Sequence, residues 1–328
     1  MKPLLLQALL LLTAAGISGA VAAQAASPAP AYPTKPVRIV VPFSAGSATD
    51  IMARLVGGKL VDLWGRQVVT DNRPSAGGII ACGIVAESEP DGHTLLVTGS
   101  NFAGSAALYN KLPFDPVKDF SGVTQLGSTP LVLVVAPGLG VKSVKEFVAL
   151  ARSKPGQFNF GSAGVGSGTH YGAELFNLVA DIKGVHVPYR GSPEALNDVI
   201  AGRVQFYFSP TIAAVSLIKS GRLLALAVST RERTPPLPDV PTFAEAGVPQ
   251  YEYEGWYGML APSRTPRSII SLLAKEVGQI LEQADIKERI ASQGAVAKWS
   301  TPQAFDKLIR EEIATRKKVW QAAGVKAE

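Results

Sequence analysis

The apolar residues of this chain come mainly in short runs, each followed by a cluster of small polar residues. Val37 to Pro42 is the first such run. It reads as a buried strand entering a Gly/Ser/Ala loop, with a helix starting near Thr49. That helix is expected over Asp50 to Leu63, where Ile51, Leu55 and Leu60 recur at near-helical spacing and Gly65 ends it. There follow a strand from Val68 to Thr70, a second small-residue loop from Asp71 to Gly78, and a helix from Ile79 to Ala86. A Pro90-Asp91-Gly92 turn and a strand from Thr94 to Thr98 lead to a third polar loop, Gly99-Ser100-Asn101. Strand, loop and helix in alternation predict a parallel α/β sheet. Ligands on such sheets sit at the carboxyl ends of the strands, where all three loops fall.

From Ser121 the texture repeats. Val123 to Gly127 and Leu131 to Ala136 read as strands separated by a polar break, Ser128-Thr129-Pro130, which is expected to be the first crossover between two lobes. Ser143 is placed to cap a helix from Val144 to Ser153, with Glu146 at the capping-box position. Asn159 to Gly161 leads into SAGVGSGTHYG, Ser162 to Gly172, and a helix reaching Ala180. A strand from Val185 to Tyr189 precedes a helix with Ser192 as N-cap and Pro193 at its first position. Further strands are expected at Val204 to Phe208 and Leu223 to Val228. A proline-rich covering segment spans Arg231 to Gln250. The aromatic stretch Tyr251 to Ala261 makes the return crossover. Two amphipathic helices, Pro266 to Gln283 and Pro302 to Ala322, finish the chain, with Phe305, Leu308, Ile309, Ile313 and Trp320 on the buried side of the last. No long repeat is visible. Ser-Ala-Gly does recur at 44–46, 75–77 and 162–164, each time at a strand-to-helix junction.

Composition sets bounds on this picture. The length of 328 residues, 47% hydrophobic and 18% charged, favours two domains with large cores. The first 25 residues form a secretory leader: Lys2, an apolar run, and an A-x-A ending at Ala23-Gln24-Ala25, with cleavage expected before Ala26. No later stretch is long and apolar enough to span a bilayer. Ala26 to Lys35 is a flexible Pro/Ala-rich lead. Cys82 is the only cysteine, so no internal disulfide can form, which suits a bacterial periplasm. Loss of Lys2 with the leader takes the formal charge from +6 to +5, and the basic residues are dispersed among acids. Nucleic-acid binding is therefore disfavoured.

Two loops are candidate anion sites: 44–49 ahead of the first helix, and 161–169 ahead of the helix ending at Ala180. Each offers backbone N–H groups and the positive end of a helix dipole. Facing each other across a cleft, they would hold a ligand with a carboxylate at each end. Either loop alone is also an ordinary αβ connection. Neither matches G-x-G-x-x-G or a P-loop, which disfavours dinucleotides and triphosphates. Asp50 would receive N–H groups at its helix start, or meet a ligand through water. His93, His170 and His186 lack metal-binding spacing, and only His170 is placed near the cleft. No G-x-S-x-G elbow is present. A Ser167, His170, Asp50 triad can be written down, but no spacing supports it. Trp256 is a cleft wall or core, and Arg190 could pair with a carboxylate.

Between Tyr32 and Gly324 the segments YPTKPVRIVVPF, DNRP-x-AGG, PDGHTLL, ALYNKLPFDPVKDF, HVPYRGS-x-AL, LPDVPTFAEAG and LAPSRTP occur in order. In these the chain resembles the Bug-type extracytoplasmic solute receptors, the binding components of tripartite tricarboxylate transport systems. The resemblance implies an α/β, type II-like periplasmic-binding-protein fold, with two α/β domains joined by a hinge around a ligand cleft. The expected division is 1–25 leader, 26–127 plus 252–328 domain 1, and 128–251 domain 2. It implies a periplasmic protein that captures a small organic anion, catalyses nothing, needs no cofactor or metal, and hands the solute to membrane transporter subunits as a monomer. A periplasmic ligand sensor and a secreted α/β hydrolase are the alternatives. The family's loops matching Ser44 to Asp50 and Ser162 to His170 each hold a carboxylate, and Asp50 matches an aspartate acting through ordered water. The expected ligand contacts are Ser44, Ala45, Gly46, Ser47, Thr49 and Asp50, then Gly77, Gly78 and Ser100. Ser162, Gly164, Gly166, Ser167 and His170 join from the second loop, with Tyr189, Ser209 and Trp256. Departures from the family pattern (Ser47, Ile79, Val165 and Ser209-Pro210) each remove polar groups and imply an apolar or aromatic carboxylate.

Overall fold

The computed structural model describes residues 32–326, and the leader and most of the lead fall outside them. The compact unit that begins at Lys35 carries every element named below. In chain order these are β1 (Val37–Val41), α1 (Ala48–Trp64), β2 (Val68–Asn72), α2 (Ile79–Ala86), β3 (Thr94–Gly99), α3 (Asn101–Leu108) and the long β4 (Phe120–Val135). Then come α4 (Val144–Ser153), β5 (Phe158–Ser162), α5 (Gly168–Ala180), β6 (Gly184–Pro188), α6 (Ser192–Ile200), β7 (Phe206–Pro210), α7 (Thr211–Lys219) and β8 (Leu224–Val228). The return is β9 (Glu254–Pro262), followed by α8 (Arg267–Glu282), α9 (Ala284–Ala291), β10 (Val296–Ala297) and α10 (Pro302–Ala322).

Local chemistry sets many of these boundaries. Ser47 caps α1, and Gly65 closes it in the left-handed region, its N–H donating to the Val61 carbonyl. Ser143 accepts the Glu146 N–H at the start of α4, while the Glu146 carboxylate takes the Lys142 N–H. At α6 the cap is Gly191, and Ser192 is the first helical residue, one position from expectation.

The strands run in the order β2-β1-β3-β9-β4-β7-β5-β6. β1 is parallel to β2 and β3, and β5 is parallel to β6 and β7. The centre departs from the expected parallel sheet: β9 is antiparallel to β3 and β4, and β4 is antiparallel to β7 and β8. An apolar run encodes burial, not direction, so the sequence pattern could not separate these cases.

The expected break at Ser128-Thr129-Pro130 is continuous strand, paired with Trp256, Gly255 and Glu254. Phe120 to Pro130 pair with β9, and Leu131 to Val135 pair with β7 and β8. β4 thus passes from one lobe's sheet to the other's. Pro130, which has no N–H, is the last residue paired with β9. The expected loop 71–78 is shorter, since Asp71 and Asn72 belong to β2. Helices α3, α7 and α9 are additional to the expected elements: α7 starts directly at a strand end, and α3 and α9 each follow one intervening residue, with no loop to announce them.

Each lobe has its own core. Phe147, Phe160, Phe176, Phe206, Phe208 and Phe243 fill one side of the second lobe. Val132, Leu196, Tyr207 and Val228 fill its other side, and Val40, Leu96, Phe102, Phe305 and Ile309 fill the first lobe. Among the described residues no helix is long and apolar enough to cross a membrane.

Candidate functional site

The starts of α1 and α5 are the same piece of structure built twice. Gly46-Ser47-Ala48-Thr49-Asp50 and Gly166-Ser167-Gly168-Thr169-His170 lie 120 positions apart. Gly46 and Gly166 have φ of 79° and 80°, a region that side chains disfavour. Ser47 and Ser167 follow with φ, ψ of −68°, 158° and −65°, 161°. Each serine Oγ accepts the N–H three residues on, at 3.4 Å from Asp50 and 3.1 Å from His170. Each glycine N–H donates four residues on, to Asp50 Oδ2 at 2.8 Å and to His170 Nδ1 at 3.2 Å. This leaves the first two amides of each helix, Ala48 and Thr49, Gly168 and Thr169, without a protein acceptor among the described residues.

All four of those residues wall one cavity of about 50 Å³ between the lobes. The cap or first turn of α3, α6 and α7 also reaches it, through Ser100, Ser192 and Pro210. Five helix N-termini therefore converge on one space. None of the residues lining it carries a formal charge, so its affinity for an anion rests on peptide dipoles and N–H groups. The remaining wall is apolar and aromatic, chiefly Phe43, Leu131, Tyr253, Trp256 and Tyr257.

Of the expected contact residues, Ser47, Thr49, Ser100, Ser167 and Trp256 line the cavity. The others lie around it. The Ser44 N–H donates to Arg190 O at 3.3 Å, and its Oγ to Glu194 Oε1 at 2.5 Å, tying the first loop to the start of α6. Ala45 and Gly46 sit beside it, and Pro193 Cγ lies 3.6 Å from where a Gly46 Cβ would be. The Gly77 carbonyl accepts from Asn101 and Ser105, and Gly78 packs on Pro42. Ser162 Oγ meets His186 Nε2 at 2.5 Å and accepts the Gly164 N–H at 3.0 Å, bracing the second loop from below. The Tyr189 hydroxyl donates to Asp198 at 2.7 Å, and burial and that bond push its pKa above the ordinary range. Ser209 is fully buried beside Pro210, which does reach the cavity.

Asp50 and His170 are structural acceptors outside the lining. Asp50 also takes Asn72 Nδ2 and Arg54 Nε, each at 3.0 Å. His170 is buried against His186, ring centroids 3.8 Å apart at 8°, and against Trp320 at 4.9 Å. Burial, with His170 beside it, pushes His186 down to about 3. Ser167 Oγ is engaged with the His170 N–H and Thr169 Oγ1, so Ser167, His170 and Asp50 form no proton relay. His93 is buried on its own Asp91 turn, away from the cavity. Trp256 is both wall and core: it lines the cavity, lies edge-on to Phe305, and donates Nε1 to Glu312 at 2.5 Å.

Among the wall residues outside that expected set are Phe43, Ala48, Thr129, Leu131, Gly168, Thr169, Tyr253 and Tyr257. The paired GSATD and GSGTH segments carried a signal for three of them. Superposing those segments places Ala48 on Gly168 and Thr49 on Thr169.

A profile described as "Tripartite tricarboxylate transporter family receptor" matches residues 52–325. The chain belongs to that receptor family. A curated relative, Protein BugT of Bordetella pertussis, is 35% identical over 297 residues, covering 90% of this chain and 91% of BugT. Among solved structures, an R. palustris protein described with adipate is 35% identical with a TM-score of 0.87, covering 89% of this chain and 98% of that one. MatC of Rhodopseudomonas palustris, described with bound malate, is 32% identical with a TM-score of 0.84, covering 88% and 99%. These neighbours share the two-lobed α/β architecture, and the receptor family is one of solute-binding proteins.

Proposed function

We propose that this chain is the extracytoplasmic receptor of a tripartite tricarboxylate-type transporter, and that it captures a small organic carboxylate by closing its lobes on it. The observation that carries this reading is the convergence of five helix N-termini, four unpartnered amides included, on one uncharged cavity. A carboxylate at α1 would take the Ala48 and Thr49 amides, and one at α5 the Gly168 and Thr169 amides. The relatives described with adipate and malate support a carboxylate. Phe43, Leu131, Tyr253, Trp256 and Tyr257 favour an apolar or aromatic body between or beside the charged ends. A cavity of about 50 Å³ is room for roughly four waters, so a six-carbon acid needs a local retreat of the wall side chains.

The lobes divide at β4 and just ahead of β9, near 127 and 252; the change of β4's partners from β9 to β7 and β8, and the Tyr253 N–H donated to the Ser229 carbonyl just before β9, support that boundary. The leader and the family support a periplasmic location, with membrane transporter subunits as the partner. Ser167 and His170 are engaged in capping, which supports binding without catalysis. Calorimetry of the wild-type protein with adipate, malate, succinate and benzoate tests the reading. Binding of at least one, with benzoate or adipate ahead of malate and succinate, is expected. No heat from any of them would remove the receptor assignment, and a clear preference for malate or succinate would remove the apolar one.

A further inference from the structure

Arg316 is one of the largest fully enclosed side chains among the described residues, 1% exposed, on a helix whose other basic residues, Lys307, Arg310, Lys317 and Lys318, are exposed. Its environment is unusual. Nη2 donates to the Tyr253 hydroxyl and to Glu312 Oε1, both at 3.0 Å. Its guanidinium lies over the Tyr171 ring, 4.3 Å from the centroid. Nε and Nη1 are buried with no hydrogen-bond partner among the described residues. A buried guanidinium with two of its three nitrogens unpartnered carries a desolvation cost that its stacking and two bonds offset only in part.

Its neighbours connect three parts of the molecule. α10 packs on α3 and on β4 in the first lobe and also meets α5 of the second, where Tyr171 lies and where Trp320 packs on His170 and Tyr171. Tyr253 lies in the segment entering β9 and walls the cavity. Glu312, the ion-pair partner of Arg316, also holds Trp256, another cavity wall. If the lobes part along this seam, Tyr171 comes off the guanidinium and water reaches it; closure would strip that water from the two nitrogens.

We propose that Arg316 is a positioning residue that sets the open–closed equilibrium, its buried guanidinium opposing closure and its stacking on Tyr171 favouring it. This rests on the receptor reading, in that it concerns the closure that reading invokes. The two halves of the contact then act in opposite directions. Removing the guanidinium, Arg316→Met, abolishes the desolvation cost and favours closure. Removing the ring, Tyr171→Leu, keeps the cost, loses the stack and disfavours closure. A contact that merely held the fold together would weaken in the same direction from either side.

The test is small-angle scattering of the solute-free wild-type protein and both variants, with adipate titrations of each by calorimetry. Arg316→Met should be more compact than wild type without solute and bind adipate about tenfold more tightly. Tyr171→Leu should be less compact, or equally open if wild type is already open, and bind about fivefold more weakly. Loss of affinity in both variants, or no change in either, overturns the proposal. Should Arg316→Met fail to fold, Arg316→Lys decides: it keeps a buried charge and loses the planar stack, so it must fall with Tyr171→Leu, and a tighter or unchanged Lys variant is a refutation. Scattering is read without solute, so absence of adipate binding in wild type would count against the receptor reading and leave this comparison standing.

Discussion

Replacing Gly104 with alanine should weaken solute binding while making the protein harder to melt. Gly104 sits inside α3, and a Cβ built there would lie 2.1 Å from the Gly166 carbonyl oxygen of the facing lobe. Carbon and oxygen do not approach within about 3 Å without strain, so the α5 loop must retreat by roughly 1 Å, or the lobes must stay parted. Overpacking of this kind costs about 1–3 kcal/mol, which corresponds to about five- to 150-fold in affinity when it applies only to the closed form. In the open form the same methyl meets solvent, and alanine in a helix interior is favoured over glycine by about 1 kcal/mol. The two effects therefore separate. Calorimetry with whichever acid the wild-type protein binds should show the loss, and thermal unfolding without solute should show a midpoint raised by about 2 °C. Wild-type affinity in Gly104→Ala would mean that the lobes do not close to the separation described here. A lowered midpoint would mean that the contact with Gly166 persists without solute.

Three further outcomes follow from the same geometry. Asp50→Ala leaves the Gly46 amide, Asn72 and Arg54 without their shared acceptor and should cost about 2–4 kcal/mol, read as a lower urea midpoint at unchanged slope, with Asp50→Asn milder. Ser47→Ala and Ser167→Ala should each cost about 1 kcal/mol and add when combined, because the caps belong to different lobes. Stability should fall as pH drops from 6.5 toward 4. His186, depressed to about 3 by burial and by His170, stays neutral in the folded state while the unfolded chain takes up a proton. The slope is at most about 1.4 kcal/mol per pH unit. His186→Phe should flatten this limb of a urea-midpoint profile, and an unchanged profile would place the acid sensitivity elsewhere.

What could be read in advance depended on how local the determinant was. Helix α1 was legible because Gly65 marks its end and Ile51, Leu55 and Leu60 recur at near-helical spacing, while the cap at Ser47 emerged only from the structure. The small-residue cradle at its start was legible from the same local stretch. Its twin at α5 was legible as a loop but not in its register: Ser-Ala-Gly recurs at 44–46 and 162–164, whereas the structural match pairs Gly46 with Gly166. Strand direction at β9, and the continuity of β4 through Ser128-Thr129-Pro130, depend on partners over a hundred residues away. Arg316 could not be picked out at all. On the periodicity of α10 it is one more basic residue, and only the approach of Tyr171 and Tyr253 encloses it. The same applies to the cavity wall, where Leu131 comes from β4, and Tyr253 and Tyr257 from the segment entering β9 and from β9 itself.

The unbroken course of β4 has a mechanical consequence. A hinge made of loose linker would let each half wander and melt on its own. Here a single strand is hydrogen-bonded into both sheets, with β9 along its first part and β7 and β8 along its second. Neither half can lose its pairing to β4 without stripping a central strand from the other, so denaturation should be one cooperative event, with calorimetric and van 't Hoff enthalpies equal. The opening proposed above would then be an elastic bend and twist of shared backbone, and the stiffness of that strand, as much as the grip of the cavity, would govern how quickly a bound solute leaves.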